Sequence, residues 1–249
     1  DRSVTEFVET SKDQFITSVR SKLGKTDGSL DEAYEPLTEN LCSIEDRVQE
    51  TKVRLENRRA DLVNELRSVA ELRGWQTHIV ESYDHVLDCI GTLVRNVSAK
   101  LVIRSDEDIF HKVSVDSVIT DLGARVQIMT KEYSTNEDID PALADIGITG
   151  SDYAIAETGT VVILPRKRIS RLVSLLPPIH VALVRSVDVL ESLDDLYLLR
   201  RFEYHKNSGN MGSYMNFITG PSRTADIEQT LVIGAHGPRE THMIILTGE

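Results

Sequence analysis

From Trp75 onward the chain alternates short apolar runs with segments of helical spacing, and this alternation restricts its fold more than any other feature. Apolar runs at 77–80, 101–103, 125–129, 153–156, 160–164, 180–184, 217–219 and 242–246 read as strands, and helical segments are expected at 84–97, 114–122, 141–146, 170–175 and 188–199. Strands buried on both faces read as near-continuous apolar runs, and neighbouring parallel strands need a helical crossover between them. The expected class is α/β, an open and mostly parallel sheet flanked by helices, with all of these strands in one sheet. No internal repeat or low-complexity tract interrupts the series.

Residues 1–74 read differently, as an N-terminal helical extension preceding an α/β domain at 75–249. Phe7, Phe15, Ile16, Val19 and Leu23 recur at helical spacing before Gly24. A stronger helix is expected from the Ser43 capping box to Gly74, with Ile44, Val48, Leu55, Leu62, Leu66 and Val69 on one face. Arg58, Arg59, Asp61 and Glu65 fall on its opposite, solvated face.

Charge and cysteine usage narrow the functional classes. With 28 basic against 40 acidic residues the net charge is -12, which repels a polyphosphate partner and argues against nucleic acid. The two cysteines, Cys42 and Cys89, form no Cys-x-x-Cys pair and cannot supply the four thiolates of an iron–sulfur cluster. The seven histidines show no metal-ligand spacing, so no metal and no resident cofactor are expected. The longest apolar run falls short of the roughly 20 residues of a membrane span, and no signal segment opens the chain; the expectation is a cytoplasmic protein.

Three stretches concentrate chemically versatile residues. The segment 147–160 sets Glu157 in an otherwise apolar strand pair beside Thr158 and Gly159. A carboxylate there is either a catalytic or ligand-holding group or a structural one accepting backbone N–H bonds. At 219–228, Gly220 and Pro221 turn the chain after a strand, and a helix is expected to follow. Its N-terminus, with Ser222, Arg223 and Asp226, can hold a carboxylate or phosphate; the plainer alternative is helix capping. At 234–240, His236 and Arg239 flank a Gly-Pro turn and can close the same cleft. Such a cleft is expected at the carboxyl ends of the strands, where open α/β sheets gather ligands. His180, after Leu176-Pro177-Pro178-Ile179, is expected to be a hydrogen-bonded core histidine. The glycine-containing loop 207–212 matches no nucleotide-binding fingerprint and is a candidate lid.

The stretches 147–160, 176–180, 219–228 and 236–239 together resemble the signatures of the lactate-utilization (LUD) family, over roughly Trp75 to Glu249. The resemblance implies a sheet of the NagB/RpiA/CoA-transferase kind. It also implies work beside cysteine-rich iron–sulfur companion subunits in oxidising L-lactate to pyruvate, this chain being an accessory or substrate-handling subunit for a small carboxylate or organic cofactor. A homo-oligomer is compatible with it. The opposing reading is a freestanding CoA-transferase-like or isomerase-like enzyme with Glu157 as its catalytic carboxylate. Glu157-Thr158-Gly159 is a distant echo of the Glu-Asn-Gly element of CoA transferases, with threonine replacing asparagine.

Overall fold

The structure, a computed structural model, describes residues 12–22, 24, 41–130, 140–164, 166, 169–207, 212, 214–224 and 232–248. The chain forms two compact units, Asp1–Ser43 and Ile44–Glu249. In the first, helix α1 spans Lys12–Lys22. Helix α2, Leu41–Asn57, runs into the second unit and is followed after Arg58 by α3, Arg59–Arg73. The single helix expected from Ser43 to Gly74 is thus two: Arg58 leaves helical geometry at φ -103°, ψ 6°.

Six strands build the main sheet: β1 (Trp75–Val80), β2 (Leu101–Arg104), β3 (Arg125–Ile128), β4 (Ile146–Gly150), β7 (Ile179–Arg185) and β12 (Glu240–Leu246). They lie in the order β1-β12-β7-β4-β2-β3, and every pairing is parallel. The expected parallel sheet flanked by helices is what the chain forms. β4, however, stands where no strand had been expected, directly after the expected helix (141–146); only a 3-10 turn at Pro141–Leu143 precedes it. Gly147 and Gly150 argue against a strand in isolation, but burial of all five β4 residues between two strands overrides that preference.

Both faces of the sheet are covered. On one, helices α4 (Tyr83–Val97) and α6 (Val115–Asp121), the latter following the short α5 (Ile109–Lys112), pack Val86, Ile90, Val94 and Ile119 against Val102, Ile146, Ile148, Val181 and Leu183. On the other, Leu62, Val63, Leu66 and Ala70 of α3 pack with Ala182, Val184, Met243 and Ile245. Consecutive residues of β7 therefore point into different cores, which is why the strand reads as continuously apolar.

The remaining strands do not join this sheet. β5 (Tyr153–Ile155), β6 (Thr160–Ile163), β8 (Val189–Leu190) and β9 (Asn216–Ile218) make a separate sheet in the order β8-β5-β6-β9. β10 (Arg223–Thr224) and β11 (Val232–Ile233) form a two-stranded ribbon. The helix expected from 188 starts only at Leu193, as α8 (Leu193–Lys206), because residues 189–190 pair with β5 and Ser192 caps the helix with a capping box to Asp195. A four-residue helix, α7, occupies Leu172–Leu175.

Candidate functional site

The order of strands creates a switch point between the neighbours β2 and β4: the chain leaves β2 for β3 on one side and leaves β4 for β7 on the other. Loops that diverge from adjacent carboxyl ends open a crevice between them. A cleft of about 620 Å³ lies there, lined by Asp106, Glu107, Asp108 and Lys112 after β2, Ser151 and Asp152 after β4, and Arg185 at the end of β7, with Arg166 and Ile169 completing the wall. Its size is that of a small-molecule site.

Local chemistry explains how the β2 loop comes to wall the cleft. Ser105 extends the β2–β4 pairing by one residue, its N–H donating to the Ile148 carbonyl at 3.1 Å. Arg104 is buried and clamps Asp116 of α6 through two bonds of 2.6 and 2.7 Å, while its guanidinium lies 5.3 Å from the Phe110 ring centroid. These contacts fix α5 and α6 against the strand end. Gly150 lets the loop fold back: a Cβ there would stand 3.1 Å from both Glu107 Cβ and Ile109 Cγ2.

Glu107 is the unusual group of the wall, only 6% exposed. The Ser105 hydroxyl donates to its Oε2, whereas Oε1 is buried and has no hydrogen-bond partner among the described residues. Burial pushes its carboxyl above the ordinary glutamate range, against the opposing pull of the Ser105 hydroxyl, the Gly150 backbone and Arg166. Asp152 is placed very differently. It accepts from the Leu164 N–H and from Arg166 Nη1, both at 2.6 Å. Arg185 grips Asp188 at 2.6 and 2.9 Å. Among the described residues no cluster of three or more His, Cys, Asp or Glu side chains is positioned to hold a metal ion.

The residues singled out from sequence lie elsewhere. Glu157 is not inside a strand pair but in the exposed turn between β5 and β6, where Oε1 accepts from the Leu193 N–H at 2.8 Å at the start of α8. Gly159 packs on Ala70 of α3 and Gly220 on the Arg73 carbonyl of the same helix; a Cβ would approach these to 2.8 and 2.5 Å. Thr160 and Thr219 share a hydrogen bond of 2.9 Å, so the two stretches are neighbours. Thr158 Oγ1 is buried and has no hydrogen-bond partner among the described residues.

The expected helix after Gly220-Pro221 is replaced, over 223–224, by β10. The exposed Arg223 donates from Nη2 to the Arg73 carbonyl at 3.1 Å, at the C-terminus of α3. Ser222 Oγ accepts from the His236 N–H at 3.1 Å, and the Ser222 N–H donates to the Pro238 carbonyl. The Arg239 N–H donates to the Pro178 carbonyl at 3.0 Å. Pro178 precedes β7, Arg73 precedes β1 and Arg239 precedes β12. This assembly therefore stands at the amino ends of the strands, opposite the edge where a ligand cleft had been expected. Asp226 and most of the loop 207–212 lie outside the described residues. His180 is fully buried, with Nε2 hydrogen-bonded to Thr149 Oγ1 at 2.9 Å, in keeping with a core histidine.

The cleft itself was missed. Its sequence signal, Ser105-Asp106-Glu107-Asp108 directly after a strand, is weak alone, and the switch point is invisible without β4.

Comparison with known proteins agrees with this architecture. A "Lactate utilization protein C 1" of Bacillus mycoides is 33% identical over 164 residues, covering 66% of this chain and 70% of the relative. A "Lactate utilization protein C" of Geobacillus thermodenitrificans is 30% identical over 194 residues, covering 75% and 79%. The crystal structure of a DUF162 family protein from Deinococcus radiodurans superposes with a TM-score of 0.50 over 76% of this chain and 98% of that one; at 19% identity the likeness bears on the fold alone. The model of the LUD domain matches residues 48–246, which include the sheet, both its helical layers and the cleft, and the chain belongs to the LUD domain family.

Proposed function

We propose that this chain is a subunit of a lactate-utilization system and that it holds a small carboxylate in the cleft at the carboxyl ends of β2, β4 and β7. The class of substrate is supported by the relatives that carry the name Lactate utilization protein C. One observation carries the siting: the switch-point cleft brings Lys112, Arg166 and Arg185 to its wall, cations that attract an entering anion while Arg166 and Arg185 also bind Asp152 and Asp188.

Oxidation of L-lactate to pyruvate releases two electrons and two protons. With only Cys42 and Cys89 this chain has no four-thiolate set of its own, so the electrons pass to cysteine-rich companion subunits while this subunit presents the substrate. The transferase or isomerase alternative rests on Glu157, whose hydrogen bond to the Leu193 N–H supports a capping role instead. Among the described residues no helix is long and apolar enough to cross a membrane.

Reconstitution with the companion subunits tests the reading. Lactate-dependent dye reduction is expected to need this chain and to fall at least tenfold with Arg166→Ala. Full activity when the chain is left out would end the proposal.

A further inference from the structure

We infer that the chain carries a second small-molecule pocket, between α4 and the strands β1, β12 and β7, which takes an uncharged molecule the size of one six-membered ring and receives its O–H or N–H on Nδ1 of His78. This pocket has no lining residue in common with the carboxylate cleft, so the inference stands apart from the reading given above.

The space measures about 140 Å³. A cavity of about 150 Å³ is known to hold a benzene ring. Ile90 and Leu93 of α4, Val181 of β7 and Ile244 of β12 give the pocket an apolar floor, and His78 and His242 stand in its wall. Among the described residues the wall includes no Lys, Arg, Asp or Glu; Asp88 and Arg95, on the same helix, are exposed to water. An ion entering this space gives up hydration without gaining a counter-charge, whereas an apolar ring gains by burial.

Hydrogen bonding decides which polar group the occupant needs. Glu240 Oε1 meets His242 Nε2 at 2.9 Å and is held by the Gln76 amide at 2.8 Å. His242 Nδ1 in turn meets His78 Nε2 in a long contact of 3.4 Å. The two rings are 12° from parallel with centroids 5.7 Å apart, a distance made up by that gap and the two ring radii, so they meet edge to edge. A carboxylate only accepts. With both rings neutral, the proton facing Glu240 therefore sits on His242 Nε2, His242 Nδ1 is an acceptor, and the proton between the rings belongs to His78 Nε2. His78 Nδ1 keeps its lone pair; it has no hydrogen-bond partner among the described residues and, unlike His180 Nδ1, is not sealed from solvent. Burial, and then His242, hold His78 below the ordinary histidine range, which favours this neutral form.

Phenol and toluene, alike in shape but differing in the donor, test this on the full chain at about pH 8, above the ordinary histidine range. Long-range proton–nitrogen spectra of the histidine side chains should show His78 protonated on Nε2, and phenol should shift its Nδ1. One hydrogen bond makes phenol bind about threefold to tenfold more tightly than toluene. His78→Phe keeps a ring without the acceptor, so this advantage should disappear; a thermal melt verifies its folding. In a Cys42→Ser chain, phenol should slow alkylation of Cys89, the half-buried thiol in the pocket wall. A His78 protonated on Nδ1, equal binding of phenol and toluene, or an advantage that survives His78→Phe overturns the role of His78. Failure of both probes to bind, or binding that leaves the rate of Cys89 alkylation unchanged, overturns the pocket.

Discussion

His180 illustrates how one side chain can tie the stability of the whole sheet to pH. Burial, with His242 nearby, pushes its pKa down to about 3, and it shares a hydrogen bond with Thr149 rather than carrying charge. The unfolded chain takes up a proton near pH 6.5 that the folded chain refuses. The stability held by the neutral ring is therefore complete above about pH 6.5 and is lost as pH falls from there towards 3, by up to about 1.4 kcal/mol per pH unit. His180→Asn cannot titrate, so its loss of denaturant midpoint between pH 7 and pH 4 should be smaller than the parent's. Equal losses in the two proteins would assign the acid sensitivity to other groups. Glu107 acts in the opposite direction. Its raised pKa gives stability that is full below the ordinary carboxylate range and is lost as pH rises through the folded value, and Glu107→Gln should remove that portion.

At the level of elements, helix ends and close strand–helix approaches absorb residues whose types suggest chemistry. Glu157 satisfies an N–H in the first turn of α8, and Arg223 serves a terminal carbonyl of α3, placements that also suit the helix dipoles. Glu157→Ala is expected to lower stability by about 0.5–2 kcal/mol, as losses of helix caps do, and to leave lactate-dependent activity of the reconstituted complex within about twofold. A much larger fall in activity with an unchanged melt would return Glu157 to a catalytic role. Gly147 answers a packing demand at the centre of the sheet: a Cβ there would lie 1.9 Å from the Val173 carbonyl oxygen and 3.0 Å from Pro177 Cγ. Gly147→Ala therefore forces α7 off β4 and should cost about 3 kcal/mol, at the upper end of overpacking losses. A melt shifted by less than about 5 °C would show that α7 yields easily.

For the whole molecule, stability depends on closing both faces of the parallel sheet, and the face covered by α3 is the more instructive. Leu62, Val63, Leu66 and Ala70 are each almost completely buried there. At roughly 1.5–3 kcal/mol for each large side chain, their removal approaches the entire stability of a domain. A chain begun at residue 75 is expected to be insoluble or unfolded, while one begun at residue 41 retains these contacts and should melt cooperatively; circular dichroism of the two separates the cases. The sequence alone determined the α/β class, most of the strands of the parallel sheet, the helix stop at Gly74 and the buried state of His180, because periodicity and turn chemistry are local and survive without knowledge of partners. It could not yield β4, since Gly147 and Gly150 oppose a strand until neighbours on both sides enclose it. Nor could it show that the conspicuous 219–239 stretch meets Arg73 and Pro178 at the amino ends of the strands. The cleft belongs to the same category: Glu107 stands in an unremarkable acidic run, and only the divergence of β2 and β4 in space buries it and sets arginines around it. Register and strand order are products of long-range packing, and this site exists only once both are fixed.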